Sequence, residues 1–337
     1  MSAAFSLASP IAHGGRLDAA RRAYPDAPQP WVDLSTGVNP HPYPVPAIAP
    51  DAWTRLPDDD AFASLDAAAR AAYRASSDVS IIPGAGAQAF IQLLPRVFPA
   101  PRVGVLGFTY AEHAACWSAC GAIVETVDAI DDLARFDAAV IVNPNNPDGR
   151  MIAPHDLAPI AREMTRKGGL LVVDESFMDF SPDYSAVALA AMEGAILLRS
   201  LGKAYGLAGL RLGFALCGPS RAAFLRGALG PWAVSGPALQ VGARALADLR
   251  WRDAAAARCA TDAARLDGAL ARAGFDLIGG TSLFRLARHE EAPACRRRLC
   301  EKGVLVRAFP ERPGWLRFGL PGDEAAWHRL TSALEVG

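Results

Sequence analysis

Three short runs in the middle of this chain are apolar almost throughout: AAVIV at 138–142, GLLVVD at 169–174 and AILLRS at 195–200. A strand with one face in water alternates apolar and polar residues, whereas a run without alternation has both faces covered. Helical stretches separate the runs. Strand alternating with helix predicts an α/β layer structure, a doubly wound, mostly parallel sheet covered on both sides. Each run ends in a polar cluster: NPNNPDG at 143–149, DESF at 174–177 and SLGK at 200–203. Ligands of open parallel sheets bind beyond the carboxyl ends of the strands. One crevice is therefore expected to collect Asn146, Asp174, Ser200 and Lys203.

The same alternation extends outward. Helices are expected over 59–75, 86–97, 110–120 and 154–167, and further strands over 79–82, 102–106 and 122–127. PHPYPVPAIAP at 40–50 carries five prolines and cannot be regular structure, so it connects an N-terminal arm to the main body. After about residue 235 an Ala/Arg-rich helix over 237–273 leads into FDLIGGTSLFRLA, a helix near 291–302, VLVRAF, WLRFGL and a final helix. The organisation expected is an arm (1–40), a large α/β domain (41–234) and a smaller α+β domain (235–337), with the arm packed on the small domain.

Composition excludes several classes. Of 337 residues 51% are apolar and 20% charged, with a formal charge of −1, which leaves no electrostatic footprint for nucleic acid or an anionic membrane. No apolar run approaches the ~18 residues of a membrane span. No pair among the six cysteines has C-x-x-C spacing, so no metal site is expected and the thiols are expected to stay reduced in a cytoplasmic protein. The opening MSAAFSLASPIAHGG has no basic residue before Arg16 and no long apolar core, so it does not read as a secretion signal.

The residues that carry chemistry surround SLGKAYGLAGLRLGF at 200–214, where one lysine and one arginine stand among glycines and leucines. An amine in a desolvated pocket loses proton affinity and becomes a nucleophile for Schiff-base chemistry; a loop lysine facing solvent is the plain alternative for Lys203. Asp174 closes an apolar run, where a carboxylate is costly unless paired. It suits a pyridinium nitrogen or, more simply, a structural ion pair. PGAGAQAF at 83–90 places glycines before an apolar helix, a phosphate cradle or an ordinary turn, to which Ser200 and Arg211 add a hydroxyl and a forked cation. Tyr110 can stack on a flat ring or pack in a core, and His113 lies on nearly the same helical face.

Taken together, NPNNPDG, VVDESF, SLGKAYGLAGLRLGF and the late WLRFGLP resemble, in order and spacing and over nearly the whole chain, the fold-type I pyridoxal-phosphate enzymes of the class I/II aminotransferase superfamily. The resemblance implies pyridoxal 5′-phosphate (PLP) as cofactor and Lys203 as the residue that bonds to it. It implies Asp174 on the pyridine nitrogen, Asn146 on the ring 3-oxygen, Tyr110 on the ring face and His113 behind Asp174. Ala85, Gly86, Ala87, Gln88, Ser200 and Arg211 would hold the cofactor phosphate end, and Arg317 in WLRFG the substrate's α-carboxylate. Within the superfamily the arm HGGRLDAARR followed by DLSTGVNPHPYP is similar to the threonine-phosphate decarboxylase branch of cobalamin biosynthesis. That places His13, Gly14, Gly37 and Asn39 at the substrate end. The candidate cations for the substrate phosphate are His13, Arg16, Arg150 and the neighbourhood of Arg211; Arg150 directly follows the NPDG turn and either faces the crevice or is a solvated arginine.

The chain departs from the pattern at Leu56, where relatives often carry a tyrosine that reaches a neighbouring subunit's cofactor, at Asp148, where threonine is usual, and at Phe177, where transaminases commonly have tyrosine. Phe177 and the arm favour decarboxylation of L-threonine O-3-phosphate to 1-amino-2-propanol phosphate over a histidinol-phosphate-type aminotransferase. A homodimer is expected from the family. A non-catalytic regulator lacks an added DNA-binding module here, and a nicotinamide enzyme lacks G-x-G-x-x-G after the first strand.

Overall fold

Apolar runs bounded by turn residues become strands that stack side by side, and in the computed structural model they form two sheets. The structure describes residues 13–335. The stretch read above for a secretion signal lies outside them, apart from His13 to Gly15. The strands are β1 (Val32–Leu34), β2 (Ser80–Gly84), β3 (Arg102–Leu106), β4 (Ile123–Val127), β5 (Ala138–Val142) and β6 (Leu170–Asp174), then β7 (Ala195–Ser200), β8 (Gly213–Cys217), β9 (Asp276–Thr281), β10 (Phe284–Arg288), β11 (Val304–Ala308) and β12 (Trp315–Gly319).

The larger sheet has seven strands in the order β2-β8-β7-β6-β5-β3-β4. The five from β7 to β4 pair in parallel, whereas β8 runs antiparallel to both β2 and β7. Consecutive side chains of a strand point to opposite faces. Val172, Ile196 and Leu198 therefore pack on one side, and Val173 and Leu197 on the other. All five are buried, as the unbroken apolar runs require. Each such side chain contributes about 1.5–3 kcal/mol by leaving water.

Several elements differ from the sequence reading, which assigns nothing to β1 or to the helices Leu17–Ala23 and Pro219–Leu229. GFALC, to which that reading assigns no strand, is β8; the glycine-rich lysine loop before it obscures a five-residue apolar run buried along its whole length. The single helix expected over 237–273 is two helices, Gly236–Ala247 and Leu249–Arg272. Asp248 separates them, its carboxylate accepting the Trp251 N–H at 3.0 Å as a helix cap.

The smaller sheet has the order β1-β11-β12-β10-β9. β1, from the N-terminal segment, pairs in parallel with β11 through Val32 and Val304, and β9 and β10 form an antiparallel hairpin. Helices Leu249–Arg272, Ala292–Glu301 and Glu324–Leu334 cover this sheet through Leu266, Leu299 and Leu330. The carboxyl ends of β5, β6 and β7 open toward β12 and the N-terminal segment, with a crevice between them. No helix of the described residues is long and apolar enough to cross a membrane.

Candidate active site

The crevice is a cavity of about 270 Å3 whose wall includes Asn146, Asp174, Ser200 and Lys203, each just beyond or at the end of a strand. Asp174 is the last residue of β6 and is 3% exposed. One carboxylate oxygen meets His113 Nε2 at 2.9 Å, and the other accepts the Ser176 hydroxyl at 2.5 Å and the Ser176 N–H at 3.0 Å. Burial alone favours the neutral acid, but these hydrogen bonds outweigh it and hold the carboxyl below its usual range. An ionised carboxylate thus faces the crevice with His113, itself 1% exposed, fixed behind it.

Lys203 stands on the turn after β7. Burial, assisted by the Arg317 and Arg211 charges and opposed by Asp174, pulls its ammonium down to about 8. Roughly a tenth of the amine is then neutral at pH 7, far more than for an ordinary lysine, and that fraction is the nucleophile. Its ammonium lies 5.4 Å from the Phe177 ring centre, and its backbone carbonyl accepts the Asn39 N–H at 3.0 Å and the Gly206 N–H at 3.1 Å. Asn39 is buried and also donates its side-chain amide to the Ala204 carbonyl at 2.9 Å. It pins the lysine loop from behind and does not line the cavity.

Helix Ala87–Val97 begins at the crevice with no side-chain cap, so its first N–H groups are left for a ligand. Arg211 lies alongside. A Cβ on Gly86, whose φ is +82°, would stand 2.7 Å from Arg211 Nη2, so glycine is what lets the guanidinium pass the helix start. Ala87, Gln88, Ser200 and Arg211 line the cavity here, whereas Ala85 and Gly86 form the turn beneath without reaching it.

The opposite wall comes from the smaller sheet and the N-terminal segment. Arg317 of β12 is 6% exposed, donates to Asn146 Oδ1 and to the Ser35 carbonyl (2.9 Å), and leaves its Nε without a partner. Burial, with the Arg307 charge beside it, pulls the guanidinium down to about 10. No carboxylate of the described residues forms an ion pair with it. Arg307 of β11 is directly opposite Arg317 in the antiparallel ladder. Opposed residues share a face, and like charges directly opposite one another are destabilising. Gly37 lines the cavity where a Cβ would come within 2.9 Å of both the Phe177 and Phe284 rings.

A polar chain runs along the rim: His13 Nε2 to Glu112 at 2.8 Å, Glu112 to the Gln88 amide at 2.8 Å, and the Tyr110 hydroxyl to Gln88 Oε1 at 3.2 Å. His13, Gly14 and Tyr110 line the cavity; burial pushes the Tyr110 phenol well up. Arg150 is exposed, directs Nη2 to the Leu106 carbonyl at 3.5 Å, and is not part of the wall. Sequence reasoning missed Ser176, Glu112 and Arg307. The first two follow Asp174 and Tyr110 by two residues, and the third acquires meaning from the ladder register alone.

The pattern of the family Aminotransferase class I and II matches residues 30–334, and the chain belongs to that family. It is 44% identical to a threonine-phosphate decarboxylase of Sinorhizobium sp over 97% of this chain and 98% of that one. It is 43% identical to the threonine-phosphate decarboxylase of Pseudomonas aeruginosa over 96% and 97%. Its fold superposes on the crystal structure of histidinol-phosphate aminotransferase from Sinorhizobium meliloti in complex with PLP with a TM-score of 0.81, at 18% identity, covering 98% of this chain and 97% of that one. Enzymes of this family work with PLP, and the crevice fits it. An uncapped helix start beside an arginine suits a phosphate, an ionised buried carboxylate suits a ring nitrogen, and a lysine held near neutrality suits an aldehyde.

Proposed function

We propose that this chain decarboxylates L-threonine O-3-phosphate to 1-amino-2-propanol O-2-phosphate, with PLP as cofactor, in a step of cobalamin biosynthesis. The observation that carries the reading is the buried Arg317 in the crevice wall, its Nε without a hydrogen-bond partner: a forked cation placed to receive an anionic group of the substrate. A phosphorylated amino acid brings a carboxylate and a phosphate. The near-full-length likeness to threonine-phosphate decarboxylases supports the same substrate.

Bound PLP supplies an electron sink for the pair left when a bond at the substrate's Cα breaks. Asp174 keeps its negative charge against the ring nitrogen, and His113 and Ser176 keep Asp174 ionised and aimed. Asn146 gives its oxygen to Arg317, which frees its amide N–H groups for the ring 3-oxygen. Tyr110, on the cavity wall, would pack against the cofactor ring. Ala87 and Gln88 at the helix start, Ser200 and Arg211 take the cofactor phosphate.

Arg317 grips the α-carboxylate by its fork, while Arg307 and His13 take the substrate phosphate. Holding both ends fixes the pose and hence which bond at Cα can break. Lys203 carries the proton that replaces the departing CO2. Phe177 adds no hydroxyl donor beside Asn146, its ring instead packing edge-on against Phe284 at 5.1 Å. The assembly we assign is a homodimer. Trp53, Leu56, Phe224 and Trp232 stand exposed, close in sequence to the residues that line an apolar cavity of about 790 Å3.

The test is a substrate panel with product identification. Stoichiometric CO2 and 1-amino-2-propanol phosphate from threonine phosphate are expected. Keto-acid exchange with histidinol phosphate, and no CO2, would make the chain an aminotransferase.

A further inference from the structure

A second cavity, of about 580 Å3, adjoins the crevice and shares His13, Gly14 and Ser35 with it. Their common wall is tight. The Gly15 N–H donates to the Ser35 hydroxyl at 2.7 Å, and a Cβ on Gly14 would stand 2.3 Å from the Ser35 carbonyl oxygen. Beyond this threshold the cavity is floored by Ala20, Tyr24, Leu305 and Leu316 and rimmed by Arg16, Arg296 and Arg307.

The three arginines come from distant segments: the residue before helix Leu17–Ala23, helix Ala292–Glu301 and β11. No aspartate or glutamate of the described residues lines this cavity. The chain carries 35 acidic and 34 basic side chains, so an all-cationic lining is a local concentration of charge against an almost neutral whole. Nearby acids are placed elsewhere. Asp18 is taken by Arg22 at 2.8 Å, and Glu311 acts on Arg307 from outside the lining. Arg16 and Arg296 form no ion pair among the described residues. What sets these two apart from other exposed arginines is their place on one cavity that adjoins the crevice.

We infer that this cavity is a reception site for the phosphate dianion of the substrate, with Arg16 and Arg296 as its outer cations and the Gly14–Ser35 contact as the threshold to the crevice. The inference rests on the reading that the substrate is a phosphorylated amino acid. Exposed charges act over about 8 Å at physiological salt, so cations steer a ligand only where they adjoin its destination. This cavity does so, through shared walls. A cleft of one sign between low-dielectric walls concentrates counter-ions and accelerates capture by about 10- to 1,000-fold, an effect that collapses with salt.

The experiment follows CO2 release from threonine phosphate between ~20 and ~200 mM salt, where screening changes most. For the native holoenzyme kcat/KM is expected to fall about tenfold across that range. In the double variant Arg16→Ser/Arg296→Ser the low-salt kcat/KM drops by about the same factor, the salt dependence flattens, and kcat stays within about twofold. Arg16→Lys/Arg296→Lys, which keeps the charge, restores the slope. Arg162→Ser/Arg258→Ser, on exposed positions of helices Pro154–Lys167 and Leu249–Arg272, leaves it unchanged. Equal slopes in the native protein and the cavity double, or a kcat loss as large as the kcat/KM loss, overturn the proposal. No CO2 from the native protein would instead refute the functional reading. Inorganic phosphate then serves as the probe: calorimetric binding to the native chain, lost in the double variant, upholds the site, and no binding to the native chain overturns it.

Discussion

Arg199 is the side chain whose loss is most readily worked out from the structure. It lies on β7 next to Ser200, is 2% exposed, and points away from the crevice into the core. Its guanidinium reaches Glu175 at 2.9 Å, Asp179 at 3.3 Å and the Ser185 hydroxyl at 2.7 Å, over the Tyr73 ring at 4.7 Å. Arg199→Met leaves two buried carboxylates without their cation. Breaking a buried pair in this way costs about 3–5 kcal/mol. At roughly 2.1 cal/mol/K per residue, 337 residues give an unfolding entropy near 0.7 kcal/mol/K, and so a fall in Tm of about 4–7 °C for a single cooperative transition. The loss also carries a pH signature. Burial already raises Asp179 to about 6, and raises Glu175, despite Arg199. An acid raised on folding binds more protons folded than unfolded, so stability falls as pH rises between the two pKa values. Removing Arg199 lifts both carboxyls further and extends that fall to higher pH. The melting deficit is therefore expected to widen from pH 5 to pH 8, and Glu175→Gln in the same chain should recover part of it. Thermal melts of native, single and double variants across that range decide the matter. A deficit that is flat with pH, or below about 1 kcal/mol, would falsify the assignment of Arg199 as the counter-charge of this cluster.

Lys203→Met is expected to abolish activity and the borohydride-reducible attachment of PLP, while melting above the native apoprotein at pH 7. The folded pKa, about 8, lies below the ordinary 10.5, so the cost of the buried charge is complete below pH 8 and fades above it; a gain that grew with pH would contradict this. Arg317→Lys exchanges a fork for a point charge, and the lost charged hydrogen bond, about 1.5–3 kcal/mol, should lower kcat/KM roughly 10- to 150-fold. An unchanged kcat/KM would remove Arg317 from the carboxylate. Gly86→Ala puts a methyl 2.7 Å from Arg211 Nη2 at φ +82° and ψ 164°, a region nearly confined to glycine, so the chain should lose ~1–3 kcal/mol of stability, and displacement of the guanidinium should weaken PLP binding in a fluorescence titration. Native affinity would mean that the guanidinium is held elsewhere.

The large sheet is legible because its strands carry their own boundaries. RVGVL, AAVIV and AILLRS begin and end where the structure begins and ends β3, β5 and β7, since a polar or turn residue flanks each apolar run. β1 has three residues, and its partner Val304 lies far along the chain, so nothing local marks it as a strand. The break at Asp248 is hard to see because Ala/Arg texture continues across it; the cap can be read once the helix is known to stop. For the crevice, the rule that strands deliver ligands at their carboxyl ends sufficed to gather Asn146, Asp174, Ser200 and Lys203. It says nothing about the opposing wall. Arg307 matters through its register with Arg317, and Arg150, two residues beyond the end of NNPD, turns outward because its backbone N–H is tied to Asp148 Oδ1 at 2.9 Å.

The pleat of the large sheet explains how paired polar residues at the ends of apolar strands serve opposite faces. Asp174 and Glu175 are consecutive, as are Arg199 and Ser200, and consecutive residues face opposite sides. The pairing of Asp174 with Leu198, and the Glu175 N–H on the Leu198 carbonyl at 2.9 Å, are the last links recorded between β6 and β7. Beyond them the two strand ends would be free to splay, and it is there that Asp174 and the loop of Lys203 must hold their separation. On the crevice side nothing can tie them, because that space belongs to the ligand. On the other side Glu175 and Arg199 meet at 2.9 Å and cross-brace the same two strand ends. A neutral brace of equal volume would keep the fold, but it would set no fixed distance between the ends. The ion pair favours one separation, because a buried pair repays its desolvation only in good geometry. The dipeptides DE and RS therefore each place one residue for chemistry and one for alignment, and the cost of burying the second is the condition for the first to work.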